Sequence, residues 1–233
     1  MATTTLTPHQ SAVRSTVAMK ALMAVSGLIL ISFLLVHMYG NLKMFLGAEA
    51  FDHYAEWLKG DILYPLIPVG WFIWLFRAFM VAAIAAHIYS AATLWRRAVA
   101  ANPVAYAAKK KLAQTYSART MRWGGIILLG LLIFHLAQFT VKATLFNGPT
   151  TATPYEMVIG EFSLWWMVAL YAVWLVTVCM HVRHGFWSAF ATLGANTSVK
   201  ARAVLNGCAW AIALLLYIGF MIMPVAVLFG WIN

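Results

Sequence analysis

Charge is what this sequence has least of. Asp, Glu, Lys and Arg together make up 9% of its 233 residues, where a soluble domain carries roughly 25%. Acids are scarcest, six against sixteen Lys and Arg. Cysteine is nearly absent. Cys179 and Cys208 are too few and too far apart for an iron–sulfur cluster or a zinc ribbon. Any metal must therefore be held by histidine or arrive inside a cofactor. The apolar runs are continuous rather than alternating, which argues against the strands of a membrane barrel.

Hydrophobic residues account for 64% of the chain. They gather into five runs long enough to cross a bilayer, which takes about 20 residues. The expected fold is all-α, an integral membrane bundle of five transmembrane helices at about 19–41, 69–95, 121–145, 159–190 and 203–230. Residues 1–18 are a polar N-terminal arm, and 19–233 form one membrane domain. The arm is polar and the first apolar run is too long for a signal h-region, so it is expected to be retained rather than cleaved. Between the first two runs, Phe51, Tyr54, Ala55 and Leu58 recur at helical spacing, which predicts a short helix lying along the membrane surface. Pro65 and Pro68 separate it from the next run.

The net charge of +10 could suggest nucleic acid, but its distribution points to topology. If the five runs alternate in direction, Arg14, Lys20, Arg96, Arg97, Lys109, Lys110, Lys111, Arg119, Arg122, Arg183, Lys200 and Arg202 share one side. The other side holds Lys43, Lys59 and Lys142 with all six acids, Glu49, Asp52, Glu56, Asp61, Glu156 and Glu161. By the positive-inside rule the basic side is cytoplasmic. The N-terminus is then expected inside and the C-terminus outside.

Four of the seven histidines, His37, His87, His135 and His181, fall one to a run in the first four runs. An imidazole in hydrocarbon is costly without a partner. A single one can be a hydrogen-bonding residue between helices; four on successive helices call for a shared role. A proton relay would normally recruit acids, and only Glu161 lies in a run. At about 1.5 Å of rise per residue, His37 and His135 lie about 25 and 20 Å from the basic edge, and His87 and His181 about 10–13 Å. Depth thus pairs His37 with His135 and His87 with His181, the pairs about 10 Å apart along the membrane normal. Two imidazoles saturate the axial positions of a haem iron, which suits electron transfer rather than oxygen activation. The expected cofactors are two haems b. Arg77, a charge inside a run, is a candidate partner for a propionate of the outer haem, with snorkelling as its alternative. Arg183, Ser15 and Trp123 form a weaker set for the inner propionates. Glu49, Asp52, His53 and Glu56 flank the outer end as candidates for quinone protonation, each with a solvated loop as its plainer reading.

The stretches LLVHMYGNLKMFLGAEAFDHYAEWL and HVRHGFWSAFATLG, with His87 and His135 in the second and third runs, carry a resemblance over essentially the whole chain. The chain resembles the cytochrome b subunit of bacterial succinate dehydrogenases and fumarate reductases, the single-chain, five-helix, di-haem membrane anchor. That resemblance implies an anchor in the bacterial cytoplasmic membrane, with a flavoprotein subunit and an iron–sulfur subunit on its cytoplasmic face. FAD and the iron–sulfur clusters would sit on those partners. Electrons would reach the inner haem (His87, His181), then the outer haem (His37, His135), then a quinone, usually menaquinone. It also implies His181 rather than His184 as ligand, the first histidine of H-x-x-H-G-F-W-S, with His184 close to the inner propionates or a quinone. More distant alternatives are a nitrate-reductase-type cytochrome b, an anchor that has lost its haems, or a transporter. The expected surroundings are lipid, quinone and the two subunits, with no nucleic acid and with room for a higher oligomer.

Overall fold

A computed structural model describes residues 15–101, 116–143 and 152–233. The arm up to Arg14, the basic stretch with Lys109, Lys110 and Lys111, and the end of the third expected span at 144–145 lie outside the described residues. Among the described residues there are seven α-helices and no strand. They are α1 (Thr16–Leu42), α2 (Ala48–Lys59), α3 (Trp71–Ala100), α4 (Tyr116–Leu136), α5 (Pro154–Phe162), α6 (Trp165–Thr192) and α7 (Val199–Leu228). Helices α1, α3, α4, α6 and α7 are long and apolar enough to cross a membrane. Their outward surfaces agree with that. Val81 and Ile218, both well inside a long helix, are more than 60% exposed, a placement that lipid solvates and water does not.

Helix starts follow the local chemistry. Ser15 accepts from the Ala18 N–H at the head of α1, and Ser198 from Ala201 at the head of α7. Each satisfies a donor that the first turn leaves open. Helix α2 is the short helix expected from the spacing of its apolar residues. Phe51 is buried, Tyr54, Ala55 and Leu58 are half-buried, and Glu49, His53 and Glu56 face out.

One expected span is divided. The stretch 159–190 is not a single helix: α5 ends at Phe162 and α6 begins at Trp165. Helix α5 has its own start, with Pro154 in the first turn and a reciprocal capping box between Thr153 and Glu156. Leu164 between the two helices is extended (φ −87°, ψ 113°). The fourth span therefore begins six residues later than the apolar run suggests, and α5 is a short separate helix on the acidic side. Helix α4 likewise ends in a π-helical turn, Ala137–Val141.

Contacts fix the order of the bundle. Arg97 near the end of α3 donates to Thr16 at the start of α1, and His135 near the end of α4 meets Tyr171 near the start of α6. Both neighbours therefore run antiparallel. Helix α1 packs closely on α3, α6 and α7; α4 packs on α6; α6 packs on α7. Neither α1 with α4 nor α3 with α6 is a closely packed pair. Ile31 and Met38 of α1, Leu175 and Val182 of α6, and Leu216 and Phe220 of α7 form the core of the bundle. A second core on the acidic side joins α2, α5, α6 and α7 through Phe51, Tyr155, Phe162, Tyr171 and Met223.

Gly219 is what lets α7 approach α1 so closely. A Cβ added there would lie 2.8 Å from Met38 Cγ and closer still to its sulfur. Gly219→Leu is expected to destabilise the bundle by about 1–3 kcal/mol through overpacking, seen as a lower thermal midpoint in detergent. Removing the obstruction in Met38→Ala/Gly219→Leu is expected to recover part of the loss.

Candidate haem-binding sites

Both histidine pairs form across the helix pairs that do not pack closely. The ring centroids of His37 (α1) and His135 (α4) are 6.0 Å apart, with planes at 78°. Those of His87 (α3) and His181 (α6) are 6.2 Å apart, at 65°. Metal–imidazole bonds run to about 2 Å, so one metal between two facing imidazoles sets their centroids roughly 6 Å apart. Among the described residues, no group of three or more His, Cys, Asp or Glu could hold a metal ion. Two nitrogens per site fall short of the four protein ligands of a structural zinc. They are the number needed when a macrocycle supplies the rest.

The hydrogen bonds fix which nitrogen is available. Ser26 Oγ donates to the Leu22 carbonyl at 2.7 Å, so toward His87 Nδ1, 3.3 Å away, it can only accept. Tyr171 donates to Gln138 Oε1 at 2.7 Å, so toward His135 Nδ1, 3.1 Å away, it too can only accept. Both imidazoles carry their proton on Nδ1 and keep Nε2 for a metal. Two of the buried nitrogens that have no hydrogen-bond partner among the described residues sit at the sites, one at each. They are His181 Nδ1, and Nε1 of Trp174, whose ring is 5.6 Å from that of His135.

Glycines keep the basic-side pair open. A Cβ on Gly27 would lie 3.3 Å from His87 Cε1, and one on Gly125 3.8 Å from His181 Cε1. Gly27 precedes His37 by ten residues, Gly125 precedes His135 by ten, and Tyr171 precedes His181 by ten. Three helices thus give the same separation of the two levels, about 15 Å. This corrects the 10 Å expected from the edges of the apolar runs. The acidic-side pair is walled by aromatic rings instead: Phe33 stacks on His37 at 5.3 Å, Phe220 lies 5.7 Å from it, and Phe139 lies 5.3 Å from His135.

The remaining candidate residues scatter. Arg77 is exposed on the chain and lies over the Trp74 ring at 4.8 Å. Arg183 is turned to α7, where it donates to Asn206 and covers the Trp210 ring. Trp123 is 72% exposed, and Ser15 serves as the cap of α1. The set Arg183, Ser15 and Trp123 is therefore not brought together. His184 is half-buried one turn beyond His181. Asp52 accepts from the Tyr155 N–H at 2.9 Å and so caps the first turn of α5. Glu49, His53 and Glu56 stay on the exposed face of α2.

Two residues not singled out for this role, Lys20 and Arg97, line a cleft of about 640 Å³ on the basic side, with Thr16, Met23, Ser188 and Thr192. Arg97 also donates to Thr16 at 3.2 Å. Position could have indicated them: Lys20 is seven residues before Gly27 and Arg97 ten beyond His87, both on the way from the basic-side pair to the surface.

Comparison of the chain with family models, with curated proteins and with solved structures gave no match.

Asp52→Ala is expected to cost about 1 kcal/mol of stability through loss of the α5 cap, while Glu56→Ala stays within about 0.5 kcal/mol. Thermal unfolding in detergent separates the two.

Proposed function

We propose that this chain is the membrane anchor and di-haem cytochrome b subunit of a succinate dehydrogenase. It would carry electrons from an iron–sulfur subunit to menaquinone; a quinol:fumarate reductase would use the same subunit in the reverse direction. The observation that carries this reading is the pair of facing imidazole couples, each about one metal wide, stacked on two levels of one bundle. A haem held by two imidazoles supplies one-electron transfer with no open position for oxygen.

The chain's own residues then divide the work. His87 and His181 hold the inner haem, with Ser26 fixing the tautomer of His87 and Gly27 and Gly125 leaving room. His37 and His135 hold the outer haem among Phe33, Phe139 and Phe220. Lys20 and Arg97 are the cations best placed to neutralise the inner propionates, in place of Arg183, Ser15 and Trp123, because the cleft they line opens below that pair. Arg77 would serve an outer propionate, since it needs an anion at that depth. By the positive-inside rule the basic loops would lie in the bacterial cytoplasm with the N-terminus, on the side where the iron–sulfur and flavoprotein subunits would dock.

Pyridine haemochrome analysis of the purified chain is expected to give two haems b per polypeptide, and none would refute the reading. His37→Ala or His135→Ala should remove one haem and spare the other, and Gly27→Val should weaken the inner site selectively. Co-purification with a flavoprotein and an iron–sulfur protein separates a succinate or fumarate enzyme from a nitrate-reductase-type cytochrome.

A further inference from the structure

One acid is fully buried among the described residues. Glu161, at the end of α5, is 0% exposed, as is its partner Gln138 in the π-helical turn after α4. Gln138 Nε2 donates to Glu161 Oε2 at 2.6 Å. The amide oxygen of the same Gln138 accepts from the Tyr171 hydroxyl at 2.7 Å. The Tyr171 oxygen then accepts from His135 Nδ1 at 3.1 Å. The four groups form one chain in which every donor points the same way, from the imidazole toward the carboxylate. A carboxylate in so dry a place is kept only when it has a purpose or a partner. The first partner it has here leads by two further bonds to an imidazole of the acidic-side pair. Among the described residues no comparable chain serves His181, whose Nδ1 has no hydrogen-bond partner, and His87 meets only Ser26 and the Met23 backbone.

We infer that Tyr171, Gln138 and Glu161 are positioning residues that hold His135 in its Nδ1–H form and raise its strength as an axial ligand. This rests on the di-haem reading above and assigns these three side chains a part in it. An outer partner on the non-ligating nitrogen fixes ring orientation and makes the imidazole a stronger donor to the metal. A stronger donor favours the oxidised, more positive iron, so the chain of bonds lowers the reduction potential of this haem relative to the same site without it. The π-helical turn is part of the device. It widens the helix immediately after His135 and so brings Gln138, three residues on, between Tyr171 and Glu161. Such bulges recur at functional positions in helices.

The test is a redox titration of the full-length chain carrying both haems, followed optically and by low-temperature electron paramagnetic resonance. In Tyr171→Phe the outer haem is expected to become easier to reduce by on the order of tenfold in its equilibrium constant, which is about 59 mV for one electron. The inner haem should not move. Glu161→Gln keeps an acceptor for Gln138 but removes the acid, and should shift the outer haem in the same direction by less. Loss of the outer haem alone from Tyr171→Phe would also support the assignment, since a positioning residue that fails leaves its ligand misdirected. If Tyr171→Phe does not fold, Glu161→Gln and Gln138→Leu decide the matter. Unchanged potential and resonance of the outer haem in every variant that folds would overturn the inference. A wild-type chain that binds no haem would instead overturn the reading beneath it.

Discussion

Inside a bilayer there is no water to complete a hydrogen bond, and the arrangement of this bundle follows from that. Four imidazoles have been placed in hydrocarbon, where each needs a partner. The chain satisfies two of them internally, His87 through Ser26 and His135 through Tyr171. It sets all four so that they face one another in couples. The helices comply with this demand rather than with close packing. Each couple spans a helix pair that leaves a gap, α1 with α4 and α3 with α6, while close contact runs through α1, α6 and α7. Ordinary maximisation of helix contact would instead bring such helices together on small residues.

The two levels are built differently. The basic-side couple has glycine beside it and, toward the basic surface, a cleft that Lys20 and Arg97 help to line. The acidic-side couple has aromatic walls and a buried polar chain, and is roofed by α2 and α5. One level opens toward charge and water; the other is sealed in apolar surroundings. In the proposed electron path, the first haem would lie near the docked iron–sulfur subunit and the second in a drier, more structured pocket. Polar interactions are stronger where the local dielectric is low, so a tyrosine and a glutamine can matter more at the second site than they would at the first.

Much of this was legible in the sequence because the signals were one-dimensional. Hydropathy marked the five spans, helical spacing marked the inward face of α2, and the rise per residue was enough to match His37 with His135 and His87 with His181. Features that depend on a neighbour were not legible. Nothing about Asp52 says that its acceptor role is spent on a backbone donor of α5, and nothing about Arg183 says that it turns to Asn206. The spacing between levels was underestimated because it was counted from the edges of apolar runs, and those edges are not where the helices sit. The glycine ten residues before His37 and the one ten residues before His135 give the register directly. The break at Leu164 was hidden for a similar reason: an apolar linker between two helices looks, in hydropathy, like more helix.

The cap that Asp52 places on α5 also bears on assembly. Asp52 follows the first membrane helix, and its partner Tyr155 comes 103 residues later, after the second and third. The bond cannot form until those helices have crossed and the chain has returned to the acidic side. The roof over the acidic-side couple therefore closes late in insertion, and a protein arrested after two spans would leave that pocket uncovered. Any group destined for it has an open door during synthesis and a shut one afterwards.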